Sequence, residues 1–94
     1  MSSGVKKIEI RLYGVVKDSL GWEKKEIILD KSYTLREIFE RFSPEIIDYI
    51  NREKEDVIIV FNGSVVPLRE IDRFVIEKES EIDILPSITG GSRE

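Results

Sequence analysis

Two stretches near the start of the chain, residues 5–13 and 23–30, alternate between apolar and polar side chains. A period of two is typical of a half-buried β-strand. The side chains expected to point inward are Ile8, Ile10, Leu12, Ile27 and Leu29. Residues 14–21 contain turn-forming aspartate, serine and glycine, which predicts a hairpin with a long loop between the two strands.

A change to helical periodicity follows. Thr34 and Glu37 have the spacing of a capping box, in which hydroxyl and carboxylate each satisfy a free backbone N–H. The apolar stripe behind it consists of Leu35, Ile38, Phe39 and Phe42. Ser43-Pro44 resembles a second N-cap followed by proline at the first helical position, which predicts another helical segment over residues 44–52.

The middle of the chain predicts a second hairpin. Residues 57–61 are continuously apolar and predict a third strand. Asn62-Gly63 is the strongest short signal for a hairpin turn. Residues 64–67 then predict a short fourth strand at an edge of the sheet, because Pro67 has no N–H for a strand partner.

The last part of the domain predicts one irregular stretch and one strand. Residues 68–79 show no clear period, and four of their apolar side chains are expected to cover the bottom of the core. These are Leu68, Ile71, Phe74 and Ile76. Residues 81–85 alternate again, with Ile82 and Ile84 inward, and Pro86 ends this strand.

This order of elements predicts an α+β domain, a mixed four- to five-stranded sheet packed against one main helix. A right-handed crossover after the second strand favours the β-grasp (ubiquitin-like) arrangement, with the first and last strands parallel and adjacent. We expect a disordered N-terminus over residues 1–4, the domain over 5–86 and a flexible tail over 87–94.

Composition narrows the class of protein. The net charge of −4 argues against a nucleic-acid binder. The chain has neither cysteine nor histidine, so it lacks a thiol nucleophile, the usual general base and the commonest metal ligand. No apolar run approaches the ~20 residues of a membrane span, and the N-terminus lacks a secretory signal. We therefore expect a cytoplasmic protein without enzymatic activity or a metal site, one that does not bind membranes.

The tail carries the most specific signal. Ile84-Leu85-Pro86 is followed by Ser87-Ile88-Thr89-Gly90-Gly91 and then by three more residues. Two consecutive glycines hold no single backbone conformation. The tail is either a frayed terminus, as chain ends often are, or a thin arm that threads into another protein.

The whole pattern resembles the ubiquitin-like sulfur carriers, which include the small subunit of molybdopterin synthase and the thiamine-pathway sulfur carrier. The pattern begins with a strand, a loop containing Leu-Gly and a second strand, followed by a helix capped by threonine. It ends with a strand leading to Asn-Gly and with a Leu-Pro pair before a diglycine near the end of the chain. The resemblance implies that Gly91 is adenylated by a ubiquitin-activating-like enzyme using ATP and magnesium, and is then thiocarboxylated. Gly90, Thr89 and Ile88 would thread through the enzyme's narrow channel. The carrier itself would bind no cofactor, and its sulfur would reach a molybdopterin synthase large subunit or a thiazole synthase.

The chain departs from that family in one respect. Finished carriers end at the second glycine, whereas Ser92, Arg93 and Glu94 follow Gly91 here. While they remain, Gly91 has a peptide carbonyl in place of the carboxylate that adenylation requires. The alternatives are that a peptidase trims the tail, that the chain is never activated, or that the extension is a remnant of cloning.

A partner-docking surface is expected beside the tail. Counting back from the Asn-Gly turn, alternate residues Val57, Ile59 and Phe61 should face the helix. Ile58 and Val60 then point outward, next to Leu85 on the last strand. Exposed apolar clusters often mark interaction sites, so these three form a predicted docking patch, unless a loop covers them.

Three functions remain open at this stage. The first is a sulfur carrier for molybdopterin or thiamine biosynthesis. The second is a ubiquitin-like modifier conjugated through Gly91 to lysines of target proteins. The third is a ubiquitin-like interaction domain that conjugates to nothing, in which the diglycine is incidental.

Overall fold

The computed structural model describes residues 5–52 and 57–87. The predictions for residues 1–4 and for the tail after residue 87 lie outside the described residues. The strands are β1 (Lys6–Leu12), β2 (Lys24–Leu29), β3 (Tyr33–Thr34), β4 (Val57–Phe61), β5 (Ser64–Val66), β6 (Val75–Ile76) and β7 (Ser80–Pro86). The α-helices are α1 (Gly14–Leu20), α2 (Leu35–Phe42) and α3 (Pro44–Arg52), and a 3-10 turn spans Leu68–Glu70.

Five of the strands form one mixed sheet in the order β2-β1-β7-β4-β5. β1 and β7 are parallel neighbours at its centre, with Ile10 opposite Ile82. The other neighbouring pairs of this sheet are antiparallel, and β5 lies at an edge as predicted. The structure confirms the predicted β-grasp arrangement, in which the first and last strands of the sheet lie side by side.

The inner face of the sheet packs against the helices. Strand side chains with almost no exposed surface are Ile8, Ile10, Leu12, Ile27, Leu29, Ile59, Ile82 and Ile84. From α2, Leu35, Ile38 and Phe39 are fully buried, as the helical spacing predicts. Each buried side chain of this size stabilises the fold by about 1.5–3 kcal/mol. The opposite face of the sheet is therefore the one that remains open to solvent.

The predicted capping box forms at the start of α2. The Thr34 hydroxyl accepts a hydrogen bond from the Glu37 N–H at 3.1 Å. The Thr34 N–H donates to a Glu37 carboxylate oxygen at 2.9 Å. Two free backbone donors are thus satisfied by two side chains.

The predicted break between two helical segments occurs at Ser43, which is completely buried. The Lys25 ammonium on β2 donates to the Ser43 hydroxyl at 2.8 Å and lies 3.3 Å from a Glu45 carboxylate oxygen. The Trp22 indole N–H donates to the same carboxylate oxygen at 3.0 Å. This polar group ties β2 to the junction of α2 and α3, and α3 is the second helical segment that the sequence predicts over residues 44–52.

The prediction of a turn over residues 14–21 is wrong, because most of this stretch forms α1. Its C-cap is Gly21, with a φ of 84° and an N–H that donates to the Lys17 carbonyl at 2.9 Å. Val16 is fully buried. A helix this short is not stable by itself, and burial of Val16 against the rest of the fold stabilises it. Local sequence reasoning cannot detect such a tertiary contact.

The stretch predicted as irregular, residues 68–79, also contains regular structure. β6 pairs with β3 in a separate two-stranded sheet, with Tyr33 opposite Ile76. Two residues are too few for a period of two to be visible in sequence. The expected contribution to the core is nevertheless present, since Ile71 and Ile76 are buried in the core while Leu68 and Phe74 are partly buried and pack against the core.

Candidate functional site: the outer sheet face and the start of the tail

The three residues of the predicted docking patch lie on the outer face of the sheet. Ile58 on β4 is directly opposite Leu85 on β7, and Val60 is two residues further along β4. All three side chains are half-buried. Their neighbours Val57 and Ile59 are buried on the inner face.

One further apolar residue belongs to this surface and was missed from the sequence. Val65 on β5 is directly opposite Val60, and 67% of it is exposed. The signal was present, since continuing the alternation past the Asn-Gly turn puts Val66 inside and Val65 outside. We call Ile58, Val60, Val65 and Leu85 the apolar patch.

Charged side chains occupy the neighbouring part of the same face. The Arg11 guanidinium on β1 donates to Asp83 on β7 at 2.8 Å and to Glu81 at 2.9 Å. The Tyr13 hydroxyl donates to the same Asp83 carboxylate at 3.2 Å. We call these four residues the charged cluster. It joins β1 to β7, the parallel pair at the centre of the sheet.

The contacts within the charged cluster shift two pKa values. The hydrogen bond with Asp83 raises the pKa of Arg11, although partial burial of the guanidinium opposes this effect. Partial burial raises the pKa of Tyr13, and the negative charge of Asp83 adds to it. Both groups therefore keep their protons at neutral pH, and the cluster persists as an ion pair with a neutral phenol beside it.

The charge pattern continues toward the β2 edge of the sheet. Lys24 lies 3.7 Å from Glu9, and Lys7 lies 4.0 Å from Glu26. Ile28, near the end of β2, is 58% exposed on this face. The outer face therefore changes from charged pairs on β1 and β2 to apolar side chains on β4 and β5.

The start of the tail lies next to the apolar patch. β7 ends at Pro86, which is opposite Val57, one residue beyond the Leu85–Ile58 pair. The Tyr13 N–H donates to the Ile84 carbonyl at 3.1 Å, so the chain entering α1 runs beside this end of β7. The predicted reacting and threading residues, Ile88 to Gly91, lie outside the described residues.

Three kinds of feature are absent from residues 5–52 and 57–87. Across residues 5–52 and 57–87, no group of three or more aspartates or glutamates is arranged to hold a metal ion. In the same ranges every buried side-chain nitrogen or oxygen has a hydrogen-bond partner. None of the helices in these ranges is both long and apolar enough to cross a bilayer.

A mixed sheet with a central parallel pair, covered on one face by helices, defines a ubiquitin-like β-grasp protein. The chain belongs to the ThiS family, whose model matches residues 10–91. This match confirms the resemblance to ubiquitin-like sulfur carriers that the sequence indicates. A search of curated protein sequences gave no significant match.

Solved structures from archaea share the fold. The Haloferax volcanii protein HVO 2177 has a TM-score of 0.66 at 15% identity, covering 97% of this chain and 92% of its own. A putative molybdopterin converting factor subunit 1 from Pyrococcus furiosus has a TM-score of 0.59 at 18% identity, with coverages of 88% and 99%. Small archaeal modifier protein 1 from Methanosarcina acetivorans has a TM-score of 0.60 at 18% identity, with coverages of 93% and 98%.

Proposed function

We propose that this protein is a sulfur carrier whose Gly91, once it is the terminal residue, is adenylated and converted to a thiocarboxylate. The observation that carries this proposal is the extent of the family match. The match includes Gly90-Gly91 and ends there, leaving Ser92, Arg93 and Glu94 outside. A family whose sequence pattern reaches the diglycine supports a role for the diglycine itself.

The chemistry needs little from the carrier. A terminal Gly91 carboxylate oxygen attacks the α-phosphorus of ATP, and the bond to pyrophosphate breaks. A sulfur donor at the oxidation level of sulfide then attacks the acyl carbon and displaces AMP, leaving a thiocarboxylate. ATP and magnesium belong to the activating enzyme, so the carrier supplies only an acyl group on a thin tail. Two residues without Cβ let that tail pass where other side chains would collide.

The apolar patch is the proposed docking surface for the activating enzyme. It lies at the start of the tail, so a partner that covers it also receives the tail. Binding of a partner that removes its partly exposed apolar side chains from water is favourable by about 25 cal/mol per Å² of buried area. The neighbouring charged pairs would lose hydration instead, and their own attraction already satisfies them.

The proposed destination of the sulfur is molybdopterin or thiamine biosynthesis. Similarity in fold to a putative molybdopterin converting factor subunit supports the first, and membership of the ThiS family supports the second. The partner that receives the sulfur would be a molybdopterin synthase large subunit or a thiazole synthase. In either case the protein acts as a carrier and not as an enzyme.

A second candidate function is protein modification. It is favoured by the similarity in fold to a small archaeal modifier protein. Activation would proceed identically as far as the adenylate, and a lysine amine of a target protein would then displace AMP. Both functions require a free Gly91 carboxylate, and we propose that a peptidase removes the last three residues.

The deciding measurement is the intact mass of the protein recovered from its native cells. A species ending at Gly91 with one carboxylate oxygen replaced by sulfur is expected for a carrier. Target proteins enlarged by the mass of this domain would favour the modifier. If the only species recovered ends at Glu94, and deletion of residues 87–94 leaves the cellular function intact, both proposals fail and an interaction domain is the better description.

A matched experiment in vitro tests whether activation requires a free Gly91 carboxylate. ATP–pyrophosphate exchange is measured with an activating enzyme from the same cells, using a chain that ends at Gly91 and one that ends at Glu94. Exchange is expected only with the former, because only there is the Gly91 carboxylate free. In the longer chain Gly91 has a peptide carbonyl, and the terminal carboxylate belongs to Glu94. Equal exchange with both chains would contradict the proposed role of Gly91.

A further inference from the structure

Gly14 occupies an unusual position where α1 meets the end of β7. Its φ is 57°, in the left-handed region that residues with a side chain rarely adopt. A Cβ built on Gly14 would lie 3.0 Å from Pro86 Cγ and 3.4 Å from Pro86 Cδ. The backbone of Gly14 therefore lies directly against the proline ring at which the last strand ends.

This contact is held from both sides. On one side, the Tyr13 N–H donates to the Ile84 carbonyl at 3.1 Å, which fixes the residue before Gly14 to β7. On the other side, Val16 in the first turn of α1 is fully buried in the core. Gly14 cannot withdraw from Pro86 without loosening one of these attachments.

We propose that Gly14 is a positioning residue, which holds the Pro86 ring and so sets the direction in which the chain leaves the sheet toward Gly90-Gly91. This proposal rests on the proposed function, because a fixed starting direction matters only if the tail must enter a partner. A tail fixed at its first residue has less conformational freedom to lose on entering a narrow channel. Helix α1, between β1 and β2, therefore has a role that the sequence of the tail alone does not indicate.

The test variant is Gly14→Ala, and the control is Gly21→Ala. Both glycines have a positive φ, so alanine is strained at both, and both bound the same helix. They differ in surroundings, because a Cβ on Gly21 has no atom of the described residues within 4 Å. An effect of Gly14→Ala that Gly21→Ala lacks, and that removal of the Pro86 ring reverses, is therefore due to the contact with Pro86.

The first readout is structural and needs no partner. In the full chain, Gly14→Ala is expected to shift the NMR resonances of Leu85 and Ser87 and to speed hydrogen exchange of the Tyr13 amide several-fold. Gly21→Ala should leave these signals near their original values. Adding Pro86→Ala to Gly14→Ala removes the colliding ring atoms, and the Tyr13 amide should regain its protection. If the two single variants behave alike, Gly14 does not position Pro86 and the inference is wrong.

The second readout is activation of chains ending at Gly91 in the pyrophosphate exchange assay. Gly14→Ala is expected to raise the KM for the carrier several-fold with little change in kcat, because the carboxylate chemistry is unchanged. Equal KM values for Gly14→Ala and Gly21→Ala would overturn the positioning role while leaving the proposed function intact. If the unaltered chain gives no exchange, the proposed function fails, and the NMR comparison alone decides whether Gly14 fixes Pro86.

Discussion

The apolar patch and the charged cluster share one face of one sheet, but they use their side chains in opposite ways. They meet where Val60 on β4 lies opposite Asp83 on β7. In the charged cluster, Asp83 accepts hydrogen bonds from Arg11 and Tyr13, so the side chains satisfy one another. In the apolar patch, Val65 is 67% exposed to water.

This difference indicates which half of the outer face gains free energy when a partner covers it. Covering the charged cluster would remove water from an ion pair that is already formed, which gains little or costs free energy. Covering the apolar patch removes hydrocarbon from water, which is favourable in proportion to the area buried. β7 contributes to both halves, but Leu85 of the apolar patch comes directly before Pro86, so the apolar half is the one next to the start of the tail.

The largest expected effect comes from placing a charge in the apolar patch. Ile58→Asp should lower kcat/KM for activation of a chain ending at Gly91 by about tenfold to a hundredfold, as loss of a central interface residue does. The fold should persist, because the side chain lies on the outer face and is outside the buried core. Pyrophosphate exchange measures the loss, and circular dichroism checks the fold.

The matched control is Ile28→Asp. It makes the same change on the same face, but at the opposite edge strand of the sheet. Equal activation of the Ile58→Asp and unaltered chains would show that the apolar patch is not the docking surface. Val60→Asp is a poorer test, because its new carboxylate would lie opposite Asp83 and repel it.

The sequence predicts the apolar patch better than the charged cluster, for a physical reason. Alternation is local, so counting from one turn puts Ile58 and Val60 on the outer face without knowledge of the rest of the fold. The pairing of Arg11 with Asp83 joins residues far apart in sequence, and only the parallel register of β1 and β7 brings them together. Many charged residues could have paired, and composition alone does not choose among them.

The same distinction explains why the helix α1 was not predicted. The capping box at Thr34 was predicted correctly because both partners lie within one helical turn. α1 was missed because burial of Val16 against distant elements, and not its neighbours in sequence, makes it helical. The contact of Gly14 with Pro86 could not be predicted for the same reason, since the two residues lie near opposite ends of the domain's sequence.

The next largest effect is expected from breaking the charged cluster. Asp83→Asn should lower the free energy of unfolding by about 1 kcal/mol, because Arg11 loses one of its two ionic partners in a partly exposed setting and keeps only Glu81. Its effect on activation should be far smaller than that of Ile58→Asp. Urea denaturation provides the measurement, with exposed Glu77→Gln as the control for loss of one negative charge. A loss of activation comparable to Ile58→Asp would mean that the charged half also contacts the partner.

A smaller effect concerns the polar group on the helix side of the sheet. Burial alone would raise the pKa of Glu45, but hydrogen bonds from its own backbone N–H, Lys25 and Trp22 outweigh burial and lower it. A carboxyl with a lowered pKa in the folded state stabilises the fold above its ordinary pKa, and the contribution disappears as pH falls through the folded value.

The stability difference between the unaltered chain and Glu45→Gln should therefore be constant above about pH 5 and shrink as the pH falls below about 4.3. Trp22 is the chain's only tryptophan and donates to this carboxylate, so its fluorescence follows unfolding at the relevant place. Activation at neutral pH should not change, because this group lies away from the outer face. A difference that grows on acidification would contradict the assigned direction of the pKa shift.

The smallest effect should come from the outermost charged pair. Lys7 and Glu26 are 4.0 Å apart, and each side chain is about half-exposed. Solvent screens such a pair, so Lys7→Ala should change the free energy of unfolding by less than about 0.5 kcal/mol. It should also leave activation unchanged, and both properties are measured beside Asp83→Asn in the same assays. A Lys7→Ala chain that loses activation would extend the docking surface into the charged half as far as β1, and the division of the outer face into two halves would no longer hold.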